Sequence, residues 1–158
     1  MHSKGHFGLT LFVLSIFALP FGFGPENLVI VVIFLSAILS SLPDIDLKFG
    51  IPHRTITHSI LFAIIIGILF GILLGYSSGL IYGFIGFIAG FLGIMTHLLG
   101  DLMTYQEFKP LWPIKQTKLS YGFFEAKSKA ANDGFFTLGW IMFFVYILIS
   151  SGALASFI

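Results

Sequence analysis

Seven side chains in this sequence could do chemistry together: His6, Asp44, Asp46, His53, His58, His97 and Asp101. His97 and Asp101 stand four residues apart, one helical turn, and so share a face. Asp44 and Asp46 flank one isoleucine in Leu42-Pro43-Asp44-Ile45-Asp46, and a second polar stretch reads His53-Arg54-Thr55-Ile56-Thr57-His58-Ser59. Imidazoles and carboxylates without any thiolate suit zinc, manganese or iron better than calcium or magnesium. That many ligands would hold about one to three divalent ions. Arg54 is the natural anion clamp beside them, because a guanidinium can pair two oxygens of one phosphate. Asp46 is placed either to join the ligands or to orient and deprotonate a water.

These groups must be positioned by elements that live mostly in hydrocarbon. Of the 158 residues, 57% are hydrophobic and only 9% charged, with 20 Phe and 18 Gly and a mean hydropathy of +1.02. Soluble domains carry about 25% charged residues, so no aqueous surface can be built from this supply. The pattern fits helices that face lipid outside and pack closely on one another inside. A net charge of +1 gives no support to electrostatic capture of nucleic acid. With no cysteine, disulfides, thiolate metal sites and cysteine nucleophiles are excluded.

Runs long enough to cross a bilayer core, roughly 20 residues each, fall at Phe7 to Phe23, Leu28 to Leu42, Ser59 to Gly75, Gly79 to Met103 and Gly134 to Phe157. The first lacks a small-x-small cleavage site and is followed by further apolar segments, so it reads as a span and not a signal peptide. The fold expected is therefore all-α, a single polytopic transmembrane bundle of about five helices. Breaker-rich turns at Gly22-Phe23-Gly24-Pro25-Glu26-Asn27 and Tyr76-Ser77-Ser78-Gly79 make tight hairpins of the first two pairs. All eight Lys and Arg fall before the first span, between the second and third, or between the fourth and fifth. The positive-inside rule then places the N-terminus in the cytoplasm and the C-terminus outside. In the segment 105–132, Trp112, Tyr121, Phe123 and Phe124 interleave with lysines, as in a stretch lying on lipid headgroups.

Hairpin geometry brings the polar residues to one depth. With equal rise on both arms of the hairpin around Ser77, positions summing to about 154 are level, which sets His58 beside His97. The same count about Gly24 sets His6 level with Leu42 and Pro43, next to Asp44. Gly86, Gly90, Gly93, His97 and Asp101 form one stripe that points into the bundle, with Gly67, Gly71 and Gly75 offering a close neighbour. An ionised Asp turned to lipid costs several kcal/mol, so an inward His-Asp pair needs a partner.

Each candidate also has a purely structural reading. His6 could be a helix-end residue at the interface, Asp44 and Asp46 turn formers after Pro43, His53 a loop residue, and His58 with Ser59 a helix cap. Asn132 and Asp133 are expected to cap the fifth helix, with a supporting place near the ligands as the alternative.

The order of these motifs resembles the YdjM-like family of predicted membrane-bound metal-dependent hydrolases. The likeness rests on His6 before the first helix, Leu42-Pro43-Asp44-Ile45-Asp46, His53-Arg54 with Thr57-His58-Ser59, His97-x-x-x-Asp101 with Thr104, and Leu111-Trp112-Pro113, spread over most of the chain. Gly5 and Thr55 depart from the usual pattern without removing a ligand-type side chain. The resemblance implies a metal-dependent hydrolase.

Position at the headgroup level suggests a phosphate ester of a membrane lipid or a lipid-linked phosphate as substrate. Ligands His58, His97, Asp101 and Asp44 would hold the metal. Two other classes stay open at this point: a divalent-metal transporter, which would place its ligands near the midplane, and a non-catalytic membrane protein whose metal only ties helices together.

Overall fold

A computed structural model describes residues 1–21, 28–49 and 53–151. Among the described residues the chain is all-helical, without strands, as the apolar runs predict. Its helices are α1 (Ser3–Ala18), α2 (Leu28–Leu39), a one-turn α3 (Asp46–Phe49), α4 (Ile60–Ser78), α5 (Leu80–Leu102) and α6 (Lys129–Ser150). Three-residue 3₁₀ turns at Leu19–Phe21 and Pro43–Ile45 extend α1 and lead into α3. Leu28–Ile45, α4, α5 and α6 are each long and apolar enough to cross a bilayer, whereas α1 is a shorter apolar helix. The turn 22–27 and the residues beyond 151, with the end of the expected fifth span, lie outside the described residues.

The helix ends follow from local chemistry. Ser59 caps α4, its hydroxyl accepting from the Phe62 amide at 3.2 Å, because the first amides of a helix have no partner within it. Gly79, at φ +100°, closes α4 and opens α5 in a single residue, a backbone state that side chains disfavour. Ser128, and neither Asn132 nor Asp133, caps α6, its hydroxyl accepting from the Ala131 amide at 3.3 Å. The expected cap therefore lies four residues too late. Asn132 and Asp133 sit inside the first turns of the helix.

Glycine decides which helices touch. In lipid there is little hydrophobic drive between helices, so close backbone approach and van der Waals contact must supply the attraction. Gly67, Gly71 and Gly75 of α4 meet Gly83, Phe87 and Gly90 of α5, and a Cβ on Gly86 would overlap the Phe70 carbonyl. The α5 stripe then changes partner: Gly93 faces the Ser36 carbonyl of α2, and Gly100 faces the His6 ring of α1. A second close crossing pairs Gly8 of α1 with Gly139 of α6, where a Cβ on either would strike the other helix's backbone.

The register of α1 on α2 is set by aromatic packing. The Phe7 and Phe34 rings meet edge-on with centroids 6.0 Å apart, and both adjoin Trp140. Outward faces are apolar: Ile65, Leu69 and Ile72 of α4 are 50%, 57% and 68% exposed and suit a lipid neighbour.

The segment between α5 and α6 is ordered by its own bonds. Phe108 and Leu119 exchange backbone hydrogen bonds, the Tyr105 amide donates to Phe124, and the Pro110 carbonyl accepts from the first amide of α4. Phe108 is buried against α4 and α5, while Tyr121 and Phe123 remain exposed.

Candidate metal centre

Four parts of the chain deliver ligand-type side chains to one end of the bundle. α1 brings His6, the turn after α2 brings Asp44, the segment before α4 brings His53 and His58, and α5 brings His97 and Asp101. His6, His58 and His97 are completely buried and Asp101 is 1% exposed. The His6 and His97 rings stack at 3.8 Å between centroids, and the His58 ring stands 4.9 Å from His97 and 4.8 Å from His53.

Hydrogen bonds fix which ring nitrogen of three histidines keeps a lone pair. His97 Nδ1 lies 2.7 Å from the Ser40 carbonyl, which can only accept, so Nδ1 carries the proton and Nε2 the lone pair. His53 Nδ1 lies 2.8 Å from Asp46 Oδ1 and is assigned the same tautomer. Thr57 Oγ1 donates to Asp46 Oδ2 at 2.6 Å, and having spent its proton it must accept from His58 Nδ1 at 2.9 Å. All three Nε2 atoms are thereby left as electron-pair donors. Holding Nδ1–H on a carboxylate, hydroxyl or carbonyl is the usual way a protein orients an imidazole for a metal.

The lone pairs of His58 and His97 meet carboxylate oxygens. His58 Nε2 is 3.4 Å from Asp101 Oδ2 and 3.5 Å from Asp44 Oδ1. His97 Nε2 is 3.7 Å and 3.8 Å from the same two oxygens, and His6 Nε2 is 3.5 Å from Asp101 Oδ1. The Nε2 atoms of His6, His58 and His97 and Oδ2 of Asp101 are buried without a hydrogen-bond partner. A buried polar atom left in this state costs about 1–3 kcal/mol, so several together at one point call for a cation. Two ligands each about 2.0–2.1 Å from one tetrahedral ion stand about 3.4 Å apart, close to these separations. The donors fall into two groups able to hold a metal ion: His6, His97 and Asp101, all buried, and Asp44, His53 and His58, nearer the surface. In each, the ligand atoms lie within 4.8 Å of one another.

Asp46 occupies a different place from the ligand or water base its spacing suggested. Both of its oxygens are engaged, one by His53 and the other by Thr57. Burial alone would push its carboxyl up, but these hydrogen bonds outweigh it and hold the group below the ordinary carboxylate range. It orients the two histidines.

Arg54 has φ +63°, a left-handed state uncommon for a residue with a side chain. From it the guanidinium reaches inward, Nη2 donating to Asp101 Oδ1 at 3.2 Å and Nη1 to the Gln106 carbonyl. Its Nε–H is buried without an acceptor. Asp101 Oδ1 also accepts from the Met1 amino group at 2.8 Å. Asp44, His53 and Arg54 line the wall of a cavity of about 560 Å³ that opens beside the ligand cluster.

Three contributors lie outside the expected ligand set. Thr57 was visible beside His58, but its role as proton donor to Asp46 depends on the fold. Ser40 acts through its main-chain carbonyl, which leaves no mark on side-chain pattern. Asn132 is completely buried; its Oδ1 accepts from the His2 amide at 2.8 Å, and its amide donates to the Ala126 and Ser128 carbonyls. It anchors the start of α1, whereas Asp133 pairs with Lys4 at the exposed edge.

The family model described as YdjM inner membrane protein matches residues 1–156, essentially the whole chain. No curated protein and no solved structure matches it.

Proposed function

The chain belongs to the YdjM inner membrane protein family, and on that premise we propose that it is a multi-pass membrane hydrolase. In this reading it holds zinc, or manganese or iron, at the cytoplasmic headgroup level and cleaves a phosphoester of a lipid or lipid-linked substrate. One observation supports it above the others: unpaired imidazole and carboxylate ligands converge beside a cavity whose wall also carries Arg54. A metal that served only to tie helices together would need no such opening. Ligands at the ends of α2 and α5, instead of along mid-span breaks, favour interfacial chemistry over transport.

His6, His97 and Asp101 would hold one ion and Asp44, His53 and His58 a second, Asp101 and Asp44 lying between the two sets. Such an ion, when bound, would supply a water of lowered pKa, about 7, and would polarise phosphoryl oxygens. Arg54, on the cavity wall, would hold a non-bridging phosphate oxygen and neutralise charge that grows on it. The attacking water, its pKa lowered, would lose its proton to solvent through the cavity mouth. The water oxygen forms the new bond to phosphorus as the bond to the leaving alcohol breaks, and the alkoxide collects a proton from solvent. Asp46 and Thr57 keep His53 and His58 in the tautomer this requires.

Purified protein reconstituted in vesicles of phosphatidylcholine with a phosphatidate should release phosphate and carry bound metal by elemental analysis. His58→Ala and His97→Ala should abolish both. Metal-stripped protein that stays folded and hydrolyses at the full rate would end the reading. Orientation is tested by Lys118→Cys and Ser77→Cys in this cysteine-free chain: an impermeant maleimide added to intact cells should label only position 77.

A further inference from the structure

Ile38 belongs to two cavities at once. On one side it lines the roughly 560 Å³ cavity beside Asp44, His53 and Arg54. On the other it heads a groove of about 490 Å³ between α2 and α6, walled by Ile30, Val31, Phe34, Phe143 and Ile147 among others, all apolar. Ile30, Phe34 and Ile38 follow one another at four-residue intervals, so the groove runs down one face of α2 for about 12 Å. α2 ends at the ligand cluster and α6 begins there, so the groove descends from the polar cavity toward the bilayer interior. It exists because α2 and α6 are each braced on α1, which leaves the space between their outer faces unfilled. Val31 and Ile38 are 48% and 51% exposed there, open sideways to hydrocarbon.

Given the phosphoester reading above, we infer that this groove seats one acyl chain of the substrate, a membrane lipid that enters sideways from the bilayer. The polar cavity and the apolar groove join at Ile38 and together fit an amphiphile: a phosphate at Arg54 and the ligand cluster, a hydrocarbon chain along Phe34 and Phe143. A water-soluble phosphoester would fill only the first. Ile38, at the junction, then governs preference for long chains, and Phe34 lies beside the chain itself.

Binding can be read without turnover. With p-benzoylphenylalanine in place of Phe34, metal-loaded protein in vesicles should photocapture phosphatidate several-fold more than diacylglycerol of the same chains. That preference should vanish on chelation, and the same probe in place of Leu69, on the outer face of α4, should show none. Equal capture of both lipids at position 34, or the same preference at position 69, would mean the groove holds annular lipid only and would overturn the inference. In a second arm, Ile38→Trp should cut turnover of a long-chain phosphatidate about tenfold more than that of a short-chain soluble analogue, at unchanged metal content. An equal loss on both substrates would overturn chain selection by Ile38. If wild-type protein turns over neither substrate yet keeps the metal-dependent capture at position 34, the hydrolase reading fails and the lipid seat stands.

Discussion

The Ser40 carbonyl lies 2.7 Å from His97 Nδ1, and that one backbone contact decides which nitrogen of the buried imidazole faces the carboxylates. Ser40 directly follows α2 while His97 lies in the last turns of α5, so the pairing of those two helices and the protonation of the ring are one structural fact. A histidine at this position that could not donate from Nδ1 would leave a buried carbonyl without its partner.

Removing the ring should therefore act on metal content before it acts on fold. His97→Ala and His58→Ala are expected to leave a helical, membrane-inserted protein that has lost bound metal. Elemental analysis against circular dichroism on the same preparation checks this, and metal retained in both variants would remove the ligand assignment.

Asp46→Asn should behave differently from the ligand variants. The amide keeps an acceptor for one neighbour but loses the charge that orients His53 and His58, so metal affinity should fall about 10–100-fold without being abolished. Competition with a calibrated chelator measures it. Complete loss of metal would instead make Asp46 a direct ligand.

At Arg54 backbone and side chain pull in opposite directions. Arg54→Gly relieves the left-handed conformation that Arg54→Ala retains, so the glycine variant should be the more stable of the two by about 1 kcal/mol. Both should lose phosphoester turnover by about two orders of magnitude or more, the scale for one donor to developing charge. Thermal unfolding and turnover on the same samples separate the two effects. Equal stability would show that the backbone state carries no cost.

Gly139→Val places a branched Cβ against the Gly8 carbonyl oxygen. It should part α1 from α6, costing about 1–3 kcal/mol or more, and draw His6 away from Asp101. Lower thermal stability with weakened metal binding is the expected pair. Unchanged stability would mean the crossing is not tight.

Much of the centre was legible in the sequence because Gly79 turns the chain in a single residue. Equal-arm counting is then nearly right, and His58 does come level with His97. About the first hairpin the same count sets His6 next to Asp44, and His6 does stack on His97, whose Nε2 lies 3.8 Å from Asp44 Oδ1. His97 and Asp101 announced themselves by spacing alone, as did the glycine stripe, although that stripe serves α4 over one part and α2 and α1 over another. Pairing of α1 with α6 could not be read, since nothing in the sequence marks Gly8 and Gly139, in different parts of the chain, as partners. Asn132 looked like a cap because capping side chains and buried anchors share the same chemistry. Only the fold tells them apart.

The Gly8 to Gly139 crossing also bears on the order in which a ribosome delivers the parts. His6 lies on α1, yet the closest backbone crossing of that helix is with α6, which follows all the other ligand-bearing elements along the chain. Until α6 has entered the membrane the early histidine lacks that brace, so the cluster is completed only after α5 is in place. A nascent chain arrested before that point would hold the later ligands in position with the first still loose.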